Sequence, residues 1–110
     1  MSADNGADWA IHTEQRAGRT VLRLTGDLDL ETAPRLLSHA EPVLATDSGG
    51  LLIDLSGLKF IDSSGLSALI RITRRMTADG RPLQIIPPPP PVAKVFEITG
   101  LSQVLPLVRE

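Results

Sequence analysis

Two hydroxyls and a carboxylate stand together in Asp62-Ser63-Ser64-Gly65. They follow Ser56-Gly57-Leu58-Lys59-Phe60-Ile61 directly and precede the amphipathic segment that begins at Leu66. A serine at a surface helix N-terminus is a place to attach a phosphate. Its hydroxyl carries the group, and the helix dipole and first N–H groups tolerate the charge. The same position suits the docking of a partner. Asp and Ser are also preferred capping residues. On this segment alone, capping is the favoured explanation of Asp62, Ser63 and Ser64, and one hydroxyl can cap while the other is modified.

No other segment defines chemistry as closely. Asp27 and Asp29 read either as turn residues after a strand or as partner contacts. No histidine or third acid lies at a spacing that suits a metal with them. His12 and His39 sit in no motif. A serine hydrolase would show a Gly-x-Ser-x-Gly elbow, but Asp62 and Ser64 flank Ser63. No catalytic residue, cofactor or metal site is expected, and the chain reads as a non-enzyme.

The elements that must position the serines follow from periodicity. Residues 1–7 read as a disordered tail and residues 8–110 as the folded domain. Trp9, Ile11 and Thr13 alternate with polar neighbours and predict a strand. Arg16-Ala17-Gly18-Arg19 supplies a turn into a second strand over Val21–Leu24, which Gly26-Asp27-Leu28-Asp29 ends. Ala33, Leu36, Leu37, Ala40, Val43 and Leu44 form one helical stripe. Thr32 is its expected N-cap, and Pro42 is expected to kink or end it. Asp47-Ser48-Gly49-Gly50 is a loop. Leu51–Leu55 reads as an inner strand, covered on both faces, with a short loop from Ser56 to Asp62. The next helix places Leu66, Leu69, Ile70, Thr73 and Met76 on its apolar side and Arg71, Arg74 and Arg75 on the other. Leu66 reads as core or as a docking residue. Leu83–Ile86 is a strand. Pro87–Pro91 must be extended, and its last one or two prolines can start a helix through Val92, Val95 and Phe96, closed by Gly100. Val104–Val108 is a weak last strand. Alternation after a hairpin predicts an α/β domain with a mixed sheet and helices packed against it.

Composition narrows the function classes. The chain has 110 residues, a net charge of −2 and no cysteine. Disulfides, thiolate metal sites and cysteine nucleophiles are therefore excluded, and a reducing, cytoplasmic setting is expected. Aromatics are 3% of the residues. That leaves an aliphatic core and no base-stacking surface, and without a basic field direct nucleic-acid binding is not expected. No apolar run approaches the ~20 residues of a membrane span, and no secretory signal pattern opens the chain.

Three ordered blocks make the chain resemble the STAS domain, and within it the anti-sigma-factor antagonists. The first is Leu24-Thr25-Gly26-Asp27-Leu28-Asp29 with Thr32-Ala33. The second runs from Ile53-Asp54-Leu55 to Phe60-Ile61-Asp62-Ser63-Ser64-Gly65-Leu66. The third is Val92 with Phe96, Thr99, Gly100 and Leu101. The proline run departs from the family's usual pattern. The resemblance implies a partner-exchange switch. The unphosphorylated antagonist binds an anti-sigma factor that is itself a serine kinase, and a sigma factor is freed. Phosphorylation of the serine after the motif aspartate, here Ser63, abolishes binding, and a serine phosphatase reverses it. Asp27, Asp29, Asp62, Ser64, Gly65 and Leu66 carry over as partner-binding residues. The alternative is a STAS scaffold or regulatory module of a signalling assembly or membrane transport complex.

Overall fold

The computed structural model describes residues 2–6, 9–46 and 49–108, the first stretch through its backbone alone. Five strands form one sheet in the order of the chain: β1 (Ser2–Gly6), β2 (Trp9–Arg16), β3 (Arg19–Leu28), β4 (Gly50–Ile61) and β5 (Leu83–Ile86). The first three pair antiparallel, and β3, β4 and β5 pair parallel. The parallel steps require crossovers. Helices α1 (Ala33–Leu44) and α2 (Ser63–Ala78) supply them and pack against each other. Helix α3 (Pro90–Ile98) follows β5 and packs on β4 and on a 3-10 turn, Leu101–Gln103. This is the expected mixed α/β arrangement.

The core is aliphatic, as the composition requires. Ile11, Leu22, Leu24, Leu36, Ile53, Leu55, Leu69 and Ile72 are fully buried, with Phe96 as the one aromatic ring enclosed to the same degree among them. Alternation on β2 and β3 puts Ile11, Leu22 and Leu24 inside and His12 and Arg23 outside, because successive strand side chains point to opposite faces.

Several elements differ from the sequence reading. Ser2–Gly6, expected in a disordered tail, is an edge strand paired from Gly6↔Trp9 to Ser2↔Thr13. The open edge of β2 offers backbone partners that need no apolar side chain. Met1, Ala7 and Asp8 lie outside the described residues, as do Asp47 and Ser48 of the predicted loop. Strand β3 continues through Gly26 and Asp27 to Leu28, and the expected loop from Ser56 to Ile61 is the second half of β4. The two extensions hold each other, pairing from Thr25↔Gly57 to Leu28↔Ile61, with one register shift before Thr25 and a second between Gly26 and Asp27. Pro42 does not end α1. The helix runs on to Leu44, because Val43 and Leu44 are buried and anchor its last turn. Pro90 and Pro91 do open α3, where a missing N–H is harmless. The predicted last strand is reduced to one bridge, Ile85↔Leu107.

Candidate functional site

With β4 extended, no loop separates the sheet from α2. Strand β4 ends at Ile61, Asp62 is the N-cap, and Ser63 is the first helical residue. Asp62 has extended backbone, and its Oδ1 accepts the Ser64 N–H at 2.8 Å and the Gly65 N–H at 3.2 Å. Its carbonyl accepts the Leu66 N–H. The capping reading therefore holds for Asp62. It also changes what the helix N-terminus offers: two of its orphan amides are already taken by a carboxylate.

Ser63 is exposed, whereas Ser64 is half-buried and Gly65 is buried. Gly65 faces the end of β3. A Cβ at this position would lie 2.7 Å from the Leu28 carbonyl oxygen and 2.8 Å from side-chain carbons of Leu28 and Ile61. The Asp62 N–H donates to the same Leu28 carbonyl at 3.2 Å. The last peptide of β3 thus sets the start of α2. Leu66 is half-buried against the core, and α2 buries Ala68, Leu69, Ile72, Thr73 and Met76. Ile72 replaces the expected Leu66 and Ile70 on the inner stripe, because α1 and the sheet cover α2 slightly off the face inferred from spacing.

The β3–α1 turn is tied by its own side chains. Asp29 Oδ1 accepts the N–H groups of Glu31 (3.0 Å) and Thr32 (3.1 Å). Thr32 Oγ1 accepts the Asp29 N–H at 2.9 Å and donates to the Asp27 carbonyl at 2.8 Å. Thr32 occupies the N-cap position without a side-chain cap bond, so its hydroxyl closes the turn rather than the helix. The Thr32 backbone N–H is the largest cause holding the Asp29 carboxyl below its ordinary value, against a partial desolvation that raises it. The Thr32 hydroxyl and the Glu31 N–H add to the lowering.

Asp27 is half-exposed and sits opposite Phe60 in the β3–β4 register. Asp27, Asp29 and Asp62 therefore gather at the carboxyl ends of β3 and β4, beside Ser63. Two further residues there escaped the sequence reading. Phe60 is 50% exposed and Leu30 76% exposed. The signal for Leu30 was present: it is a leucine between two acids, off the helical stripe of α1. Leu30 also lines a shallow groove of about 170 Å³ between α1 and α2, with Pro34 and Leu37 on one side and Ser64, Ser67 and Arg71 on the other.

A family model described as "Mlab, STAS domain" matches residues 11–109. The chain belongs to the STAS domain family. This STAS domain is similar to the anti-sigma F factor antagonist of Paenibacillus polymyxa, with 26% identity over 98 residues that cover 88% of this chain and 84% of the relative. Among solved structures, an anti-sigma factor antagonist from Mycobacterium paratuberculosis matches with a TM-score of 0.80 and 28% identity, covering 93% of this chain and 86% of that one. The Bacillus cell fate determinant SpoIIAA in its phosphorylated form shares the fold, with a TM-score of 0.67 and 23% identity over 91% of this chain and 92% of that one. No helix among the described residues of this STAS domain is long and apolar enough to cross a membrane.

Proposed function

We propose that this STAS domain is an anti-sigma-factor antagonist switched at Ser63. Its unphosphorylated form binds an anti-sigma factor that is also a serine kinase, and that binding frees a sigma factor. Phosphorylation of Ser63 ends the binding, and a serine phosphatase restores it. The protein acts by occupancy rather than by turnover.

The observation that carries this reading is the difference between the two serines. Ser63 stands exposed at the first position of α2, while Ser64 turns into the α1–α2 groove. A kinase needs an accessible hydroxyl, and Ser63 offers one on a rigid, capped helix start. A phosphoserine adds about −1.5 to −2 charges. The Ser64 and Gly65 amides are engaged by Asp62, so the phosphate stays at the surface where a partner would meet it. A loss of ~3 kcal/mol on binding would weaken the complex roughly 150-fold, enough to exchange partners. Asp62 acts in this scheme as the cap that presents Ser63, and Asp27, Asp29, Ser64 and Leu66 surround the docking surface; Gly65, expected to touch the partner, is buried against Leu28 and shapes that surface from beneath.

The test is incubation with a purified anti-sigma factor of the source organism and ATP, followed by mass spectrometry and binding. Ser63 acquires the phosphate, Ser63→Ala keeps binding and Ser63→Asp loses it. Equal binding by both variants sinks the switch. Elution of the native protein in a large complex without an anti-sigma factor favours a scaffold role.

A further inference from the structure

We propose that the sheet face turned away from the helices is a self-association surface, on which two copies of this chain pair about a two-fold axis lying along the strands between β3 and β4. The inference is independent of the function proposed above.

The buried residues of all three helices and the inward residues of the strands, among them Ile11, Leu22, Leu24, Ile53 and Ile85, form one cluster. Successive strand residues point to opposite faces. Val21, Leu52 and Ile86 therefore point the other way, and none of them belongs to that cluster. No helix among the described residues packs on their side. Parallel strands are rarely left bare on one face, and β3, β4 and β5 are parallel.

The register lays this reverse face out in rows. Glu14, Val21, Leu52 and Gln84 form one row across four strands, and His12, Arg23, Asp54 and Ile86 form the next. Arg16 and Arg19 stand at the hairpin end. Val21 is only 2% exposed although it lies outside the core, so side chains of its own face cover it. Leu52 and Ile86 are half-buried. The short ion pair of Glu14, at 2.8 Å, is with Arg16. Arg23 is held more loosely, 3.6 Å from Glu14 and 3.5 Å from Asp54, with 46% of its side chain exposed. Its guanidinium keeps donors for a further carboxylate.

Charge and shape together select a second copy and its orientation. A two-fold axis along the strands sets β3 against β4 of the second copy. Val21 of each copy then meets Leu52 of the other, and Arg23 of each meets Asp54 of the other. Glu14 meets Gln84 and Arg19 meets Gly50, so none of these pairs sets like charges against each other. An axis across the strands at Val21 would instead set Arg23 against Arg19. Each copy brings both members of the ion pair, and neither charge is buried alone. The strands of the two sheets then run within about 30° of one another, as in aligned sandwiches. The face measures roughly 20 Å by 20 Å. That is below the ~800 Å² per partner of a standard interface, so the pair is a weak one that dissociates in roughly the micromolar range.

Sedimentation equilibrium of the purified protein, from about 1 to about 500 μM, tests this. The wild type should rise from the mass of one chain to the mass of two. Arg23→Glu and Asp54→Arg should each pair at least tenfold more weakly, because like charges then face each other across the axis. An equal mixture of these two variants should pair again, since each supplies the charge that the other lacks. Pairing inside one chain cannot produce that rescue. Leu52→Lys, at the apolar centre, should also stay single. Thermal unfolding of each variant separates lost pairing from lost folding. A wild-type protein that stays single throughout, an Arg23→Glu or Leu52→Lys protein that pairs as the wild type does, or a mixture of folded variants that stays single overturns the inference.

Discussion

Leu28 and Gly65 meet backbone to backbone, so closely that a methyl group on residue 65 would lie 2.7 Å from the Leu28 carbonyl oxygen. The contact joins the end of β3, which carries Asp27 and leads into the turn at Asp29, to the start of α2, which carries Ser63. The two halves of the candidate site are thus one rigid unit.

Gly65→Ala should therefore destabilise the protein by about 1–3 kcal/mol, because the obstruction is backbone and cannot rotate away. Urea denaturation measures this directly. A variant as stable as the wild type would mean that α2 can shift at its start without penalty.

Asp62→Ala removes the acceptor of the Ser64 and Gly65 N–H groups and should lose about 1 kcal/mol. Asp62→Asn keeps an acceptor oxygen and should recover most of that loss. Amide hydrogen exchange at Ser64 and Gly65 should speed up in the alanine variant and stay slow in the asparagine variant.

A phosphate on Ser63 acts by charge or by bulk, and substitutions there separate the two. Ser63→Gln adds bulk without charge and should weaken anti-sigma factor binding, as Ser63→Asp does. High salt should fail to restore binding by the phosphorylated protein. Full binding by Ser63→Gln with rescue of the phosphoprotein by salt would show that charge repulsion is the switch.

Asp29 gives the protein an acid-sensitive turn. Its carboxyl lies below its ordinary value of 3.8 in the folded state, so the ionised form is the one that folding favours. Its contribution is present above that value and disappears as pH falls through the lower folded value. Asp29→Asn should flatten the loss of stability below about pH 4. Thermal unfolding across an acid pH series reads this, and parallel curves for the two proteins would place the acid sensitivity elsewhere.

The β2–β3 turn carries a residue at odds with its backbone. Ala17 has φ 51° and Gly18 φ 80°, the positive pair that a two-residue type I′ hairpin requires. Asn tolerates this conformation far better than Ala. Ala17→Asn should stabilise the hairpin by up to about 1 kcal/mol and raise the unfolding temperature without touching partner binding.

Much of this protein was legible in its sequence because it depends on local rules. Alternation at Trp9, Ile11 and Thr13 marks β2, helical spacing marks α1 and α2, and paired prolines at 90 and 91 open α3. The order of elements then limits the sheet to a mixed one, and Asp62-Ser63-Ser64-Gly65 is recognisable wherever a strand feeds a helix. The rest was decided by neighbours distant in sequence. Residues 56–61 have a serine, a glycine and a lysine, and they are extended because β3 lies alongside to pair with them. Polar Ser2–Gly6 is a strand because β2 leaves an edge open. Pro42 stays helical because Val43 and Leu44 are held in the core. Above all, no local rule brings Asp27 and Asp29 to Ser63, or leaves Leu30 in water beside Ser64. Parallel pairing of β3 and β4 does that, by setting the carboxyl ends of two strands together and pressing Leu28 against a residue that has no side chain.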